Sequence, residues 1–205
     1  MSVRAVEWDP ESGRLVLLDQ RRLPSKVEWI RCGDPECVVR AIEDLAVRGA
    51  PAIGIAAAFG MVLAARGGLE GVKGAAPRLA SARPTAVNLP WAVERMLEKA
   101  LSTPGEEELR PVLLEEARRI LEEDRAANRA LGFLGQALLS EKCSVLSHCN
   151  AGALATGGYG TALGVVRAAR ENGKEVKVYL GETRPVLQGA RLSAWEMAEE
   201  GFDVT

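Results

Sequence analysis

Apolar and polar positions change period repeatedly along this chain, and each change marks an element. Arg4–Trp8 and Leu15–Asp19 alternate as short strands around a turn at Pro10-Glu11-Ser12-Gly13, and Lys26–Arg31 supplies a third strand. Asp34-Pro35 then offers an N-cap followed by proline at the first helical position. Val38, Ile42 and Leu45 recur at helical spacing up to a stop near Arg48-Gly49. Pro51 opens a helix of small apolar residues, Gly71–Gly74 reads as a loop, and residues 81–90, with two prolines, read as an ordered connection. Helix returns over Trp91–Leu101. Glu106–Leu139 is one long helical pattern or two, with Pro111 marking a first turn and Leu113, Ala117, Ile120, Leu131 and Leu134 as the apolar stripe. Asp124 and Asn128 lie near that stripe as a solvated edge.

From Lys142 the period shortens. Cys143–His148 reads as a strand, Thr161–Glu171 as a helix, Val176–Leu180 as a second strand, Leu192–Glu200 as a helix and Phe202–Thr205 as the start of a third strand. The fold class is therefore α/β. A small N-terminal β unit and a helical domain occupy residues 1–140, and the first part of a doubly wound, Rossmann-like parallel sheet occupies 141–205.

Composition narrows the function classes. Apolar residues make up 47% of the 205, enough for a sizeable core, and the net charge of -2 gives no basic excess to suggest nucleic acid. The longest apolar run, Ala50–Ala65, is shorter than the roughly 20 residues of a membrane span and reads as a buried helix, so no membrane partner is expected. The start has no apolar signal core. Cys32, Cys37, Cys143 and Cys149 form no C-x-x-C pair and have one histidine to join them, so no metal site is expected. Read as free thiols without a secretory signal, they point to a cytoplasmic setting.

The chemistry concentrates after the strand at 143–148. Cys149 stands at the carboxyl end of that strand, where open α/β sheets bind ligands, and the loop Asn150–Gly160 with its four glycines offers free backbone N–H groups. A thiol there can move a proton. Cys143 reads as structural. His148 adjoins the thiol, but neighbours on a strand face opposite ways, so a packed, hydrogen-bonded histidine is expected rather than a catalytic pair. Thr161 is placed to cap the next helix. Arg48-Gly49-Ala50-Pro51 puts an arginine just before a helix N-terminus, which suits a phosphate or else is a solvated helix break. Arg83 is a second candidate clamp. Glu182 follows the second strand, where an acid would hold a ribose hydroxyl in a dinucleotide fold. Its distance from the glycine loop is too long, and nicotinamide binding fits poorly.

Five segments together resemble one family. They are Val47-Arg48-Gly49-Ala50-Pro51-Ala52-Ile53-Gly54, Ala82-Arg83-Pro84-Thr85-Ala86-Val87-Asn88-Leu89, His148-Cys149-Asn150-Ala151-Gly152 with Leu154-Ala155-Thr156, Tyr159-Gly160-Thr161-Ala162-Leu163-Gly164, and Glu182-Thr183-Arg184-Pro185 with Gln188-Gly189-Ala190-Arg191-Leu192. In order, from about residue 4 to residue 205, the chain is similar to the S-methyl-5-thioribose-1-phosphate isomerases of methionine salvage. Related proteins are the ribose-1,5-bisphosphate isomerases and the regulatory subunits of the initiation-factor nucleotide-exchange complex.

The resemblance implies an aldose–ketose isomerisation of a phosphorylated sugar without added cofactor or metal. The substrate's anomeric carbon carries the phosphate, so the ring must open and hydrogen must pass from the second carbon to the first, as a proton or as a hydride. It assigns the catalytic thiol to Cys149 and the sugar and phosphate contacts to Arg48, Gly49, Ala50, Arg83 and Gln188. It also implies a homodimer, and an acid partner in an Asp motif later than residue 205, so that this chain carries the N-terminal portion. The alternatives are a catalytically silent regulatory or binding subunit of the same fold, or a ribose-1,5-bisphosphate isomerase.

Overall fold

The computed structural model describes residues 3–205. The chain divides into two compact units. One holds residues 6–21 and 28–123; the other holds 124–205 together with short N-terminal segments that include 22–27.

In the first unit, β1 (Val6–Asp9), β2 (Arg14–Leu18) and β3 (Trp29–Cys32) form an antiparallel sheet in that order, with Val6 opposite Leu17 and Leu15 opposite Cys32. The Asp9 carboxylate accepts the Glu11 and Ser12 N–H groups at 3.1 and 3.3 Å and closes the expected turn. Helix α1 (Pro35–Glu43) starts as read, with the Asp34 side chain accepting the Cys37 N–H at 2.8 Å. It stops earlier than expected, and Leu45 lies beyond it in a left-handed conformation (φ 61°). Cys32 and Cys37 are joined as a disulfide, not free; Cys143 and Cys149 are the free thiols. The N-cap turn brings β3 and α1 within bonding reach, and the pair removes part of the support for a reducing setting.

Helix α2 (Ala50–Ala64) is buried from Ala52 onward, and Phe59 stacks on Trp8 with ring centroids 5.5 Å apart. A 3-10 turn at Ala65–Gly67 leads straight into α3 (Gly68–Ser81). The apolar stretch Ala50–Ser81 has the length and hydropathy to cross a membrane, but 78% of its most apolar window is buried inside the protein, as expected of a core helix. The expected loop at Gly71–Gly74 is helical. Val72, Ala76 and Leu79 are buried on one face, and that burial outweighs the ~1 kcal/mol that each glycine costs a helix. Helix α4 (Asn88–Leu101) starts before Trp91, and α5 (Glu106–Gln136) is one helix with Pro111 inside it.

The stripe on α5 is half as expected. Leu113, Ala117 and Ile120 are buried, but Leu131 and Leu134 are 44% and 71% exposed. Past Asp124 the inward positions are Asn128, Gly132 and Gly135. A Cβ on Gly132 would fall 2.8 Å from the Gly164 carbonyl oxygen, and one on Gly135 2.6 Å from Val165 Cγ2. Close backbone approach, rather than leucine packing, decides this face.

In the second unit, β4 (Lys142–Ser147), β5 (Glu175–Leu180) and β6 (Asp203–Val204) form a parallel sheet in chain order, with Val145 opposite Val178 and Val178 opposite Val204. Helix α6 (Ala162–Glu171) connects β4 to β5. A π-helical turn at Gly189–Ser193 runs into α7 (Ala194–Glu199), which connects β5 to β6. This is the expected βαβαβ order. Leu163, Val166, Val178, Met197 and Phe202 form its core, with Val145, Val176, Leu180 and Val204 packed on it.

Candidate active site

Cys149 lies two residues past β4, partly exposed, with φ 63°. A residue other than glycine pays a steric cost in that region, so it must be held there. Two hydroxyls hold it. The Cys149 N–H donates to Thr183 Oγ1 at 2.9 Å, and Ser193 Oγ donates to the Cys149 carbonyl at 2.7 Å. Thr183, itself left-handed, donates to the Gly181 carbonyl at 3.1 Å, and Gly181 N–H reaches the Ser147 carbonyl at 2.9 Å. The ends of β4 and β5 are thereby tied together around the thiol.

Gln188 stands at the start of the turn that packs on the segment holding Cys149. It precedes Gly189, where a Cβ would fall 1.8 Å from the Gly181 carbonyl and 3.2 Å from Thr183 Oγ1. Only glycine lets the turn carrying Gln188 sit against the Gly181–Thr183 segment. His148 is exposed, which overturns the expectation of a packed histidine; it continues the exposed series Lys142, Ser144, Leu146.

The glycine loop is anchored by two acids that sequence reasoning missed. Asp124, taken as a solvated edge with Asn128, accepts the Gly157 N–H at 2.7 Å and the Asn128 side-chain amide at 2.9 Å; Asn128 is buried. Burial pushes the Asp124 carboxyl above its usual range, against the pull of those two donors. Glu196 is fully buried on α7. It accepts the Ala153 and Leu154 N–H groups at 3.0 and 2.9 Å and faces Arg167 at 3.3 Å. Burial pushes its carboxyl up as well, with the Arg167 guanidinium opposing. A Cβ on Gly152 would fall 1.3 Å from Glu196 Oε1, so this loop position admits only glycine. Thr161 takes the N-cap position of α6, but its hydroxyl goes to the Ala151 carbonyl at 3.3 Å instead of capping.

Asn150 shows an open valence. Its Nδ2 donates to Ser193 Oγ at 3.2 Å, while its Oδ1 is buried without a hydrogen-bond partner. Because the Ser193 proton is committed to Cys149, the serine oxygen must accept from Asn150, and this fixes the amide with Oδ1 turned away.

The other candidate residues lie in the first unit. Gly49 (φ 97°) is the N-cap of α2, Ala50 is its first residue, and no side chain caps that end. Arg48, partly exposed, immediately precedes this uncapped helix start, whose first amides have no partner within the helix. Arg83 precedes α4, and its carbonyl accepts the Ala86 N–H at 3.0 Å. The start of α4 packs on the second turn of α2, where a Cβ on Gly54 would fall 2.9 Å from the Asn88 carbonyl oxygen. Arg48, Gly49, Ala50 and Arg83 thus belong to the first unit, and Cys149 and Gln188 to the second.

A concavity of about 680 Å³ lies at the opposite, amino-terminal ends of the parallel strands. Its cations are already engaged: Lys142 with Glu175 at 3.0 Å, and Lys174 with the Gln136 and Leu139 carbonyls at 2.8 and 2.7 Å. Among the described residues, no group of three or more His, Cys, Asp and Glu side chains is gathered to hold a metal ion.

Residues 46–205 match the family model of the initiation factor 2 subunit family. The chain belongs to that family. Among curated members, it is 53% identical to the methylthioribose-1-phosphate isomerase of Desulforamulus reducens, over 99% of this chain and 61% of that protein. It is 55% identical to the enzyme of the same name from an Anaeromyxobacter species, over 99% and 59%. The chain thus spans about three-fifths of the length of the curated relatives it matches. Among solved structures of the family, translation initiation factor eIF-2B, subunit delta, from A. fulgidus superposes with a TM-score of 0.92 at 48% identity, covering 100% of this chain and 62% of that one. The 5-methylthioribose 1-phosphate isomerase of Pyrococcus horikoshii gives 0.90 at 41%, covering 98% and 59%. These relatives agree with the mixed α/β architecture: an antiparallel strand unit, helices and then a parallel sheet.

Proposed function

We propose that the protein is an aldose–ketose isomerase that converts S-methyl-5-thio-α-D-ribose 1-phosphate to S-methyl-5-thio-D-ribulose 1-phosphate in methionine salvage. The observation that carries this reading is the clamped, partly exposed Cys149 at the carboxyl end of β4. It stands in a chain about half identical to proteins named for that reaction.

The reaction is internally balanced. The bond from the first carbon to the ring oxygen breaks and that oxygen takes a proton; the hydrogen on the second carbon passes to the first, which keeps its phosphate, and the hydroxyl on the second carbon gives up its proton to become the carbonyl. One carbon is oxidised as its neighbour is reduced, so no external oxidant enters. Cys149 supplies the group that gives or takes a proton. The uncapped amides at Gly49–Ala50, with Arg48 and Arg83, supply charge and donors for the sugar phosphate, and Gln188 a polar contact to the sugar. The reading includes a homodimer, drawn from the family resemblance, and a cytoplasmic setting, drawn from the thiols, of which Cys143 and Cys149 remain free.

A second reading has its own support. The A. fulgidus structure that superposes so well carries the name of an initiation-factor subunit, which suits a regulatory, non-catalytic role. The test is direct. Take the protein at the full length of its curated relatives, which includes the later Asp motif that the resemblance implies, incubate it with the methylthioribose phosphate and follow ketose formation by NMR. The isomerase reading expects turnover that falls by about 100-fold or more in Cys149→Ser, the effect of losing a general acid or base. Binding without turnover, or turnover unaffected by Cys149→Ser, overturns it.

A further inference from the structure

We propose that Thr183 and Ser193 are positioning residues that hold Cys149 in its left-handed backbone conformation and so present its thiol beyond the carboxyl end of β4. The proposal deepens the reading of Cys149 as the reacting thiol and rests on it.

The argument begins with the alternation of β4. Lys142, Ser144 and Leu146 are exposed, while Val145 packs on the core and Ser147 is buried. By the two-residue period of a strand, an extended Cys149 would continue the covered series after Val145 and Ser147. Its φ of 63° breaks the alternation and turns the side chain out of it. Nothing in cysteine favours that conformation, since without glycine's freedom or an Asx-type local hydrogen bond it is disfavoured.

Both backbone polar groups of Cys149 are bound by side chains from distant positions. Thr183 Oγ1 takes the N–H at 2.9 Å from the loop after β5, and Ser193 Oγ gives to the carbonyl at 2.7 Å from the turn before α7. Each hydroxyl is itself directed. Thr183 donates to the Gly181 carbonyl, leaving its lone pairs for Cys149. Ser193 accepts from Asn150, leaving its proton for Cys149. Ser193 is buried, so its bond is shielded from competing water. Two bonds with assigned donor and acceptor offset the cost of the left-handed residue.

The test is the reactivity of the thiol, with Cys143, earlier in the same strand, as an internal reference. Treat the parent chain and the variants Thr183→Val, Thr183→Ser and Ser193→Ala with iodoacetamide, and read the alkylation rate of each free cysteine by peptide mass spectrometry. The proposal expects Cys149 to slow relative to Cys143 by about fivefold or more in Thr183→Val and in Ser193→Ala, the factor associated with losing one net hydrogen bond. Thr183→Ser keeps the hydroxyl and stays near the parent. Equal or faster Cys149 alkylation in Ser193→Ala, with Cys143 unchanged, overturns the proposal, as does a Thr183→Ser variant that behaves like Thr183→Val. If Thr183→Val loses its fold, Ser193→Ala and the serine variant still decide. No sugar phosphate enters the measurement, so its outcome is independent of whether the isomerase reading holds.

Discussion

The carboxylate of Asp124 accepts the backbone N–H of Gly157 at 2.7 Å, which ties the long helix α5 to the glycine loop that follows Cys149. Burial raises the Asp124 carboxyl pKa above 3.8. The folded chain therefore binds that proton more tightly than the unfolded chain, and the stability linked to this group is lost as pH rises through the raised value. Comparing the melting temperatures of the parent and Asp124→Asn from about pH 4 to about pH 7, we expect the parent to lose ground to the variant as pH rises. A difference that is flat, or that moves in the parent's favour, contradicts this.

Glu196→Ala is expected to be severely destabilising. It leaves the Ala153 and Leu154 amides without their acceptor and removes one of the two carboxylates facing buried Arg167. Removing one member of such a buried network costs about 3–5 kcal/mol. Glu196→Gln, which keeps an acceptor, should cost less. Urea denaturation of the two variants gives the order directly, and equal midpoints would contradict it.

The Cys32–Cys37 disulfide closes a short loop between β3 and α1. The chain-entropy model gives about 2 kcal/mol for so short a loop. That corresponds to roughly 4–8 °C in melting temperature for a chain of this size. Cys32→Ser or dithiothreitol should each lower the melting point by that amount, and the two together by no more than either alone.

Under the isomerase reading, Arg48→Ala and Arg83→Ala should each raise KM for the sugar phosphate by roughly tenfold or more, since a hydrogen bond to a charged group is worth about 1.5–3 kcal/mol. The melting temperature should move little, because both side chains are only partly buried. An unchanged KM would remove the residue concerned from the phosphate contacts.

Much of the fold is legible in the sequence because it rests on local periods and punctuation. The Asp34-Pro35 start of α1, the turn after Asp9 and the strand–helix–strand rhythm after Lys142 each depend on residues within a few positions of one another. The misreadings share one cause. Gly71 and Gly74 look like a loop until Val72, Ala76 and Leu79 find a core to enter. Leu131 and Leu134 look like core until Gly132 and Gly135 bring α6 against the other side of α5. Asp124 and Asn128 look like a solvated helix edge, since a polar pair at that spacing has the same signature whether it meets water or a loop more than thirty residues away.

The sequence by itself determined the three N-terminal strands, the start of α1, the βαβαβ order of the second unit, and Cys149 as the thiol worth testing, because hydrophobic period and motif spacing are properties of the chain. Only the tertiary structure decided how that thiol is held. The bonds from Thr183 and Ser193 to Cys149, and from Glu196 and Asp124 to the loop after it, join residues 33 to 44 positions apart. Such bonds exist only after the strands have paired and α7 has packed. Their partners are backbone N–H and carbonyl groups, which every residue carries, so the sequence holds no mark of which ones will be chosen.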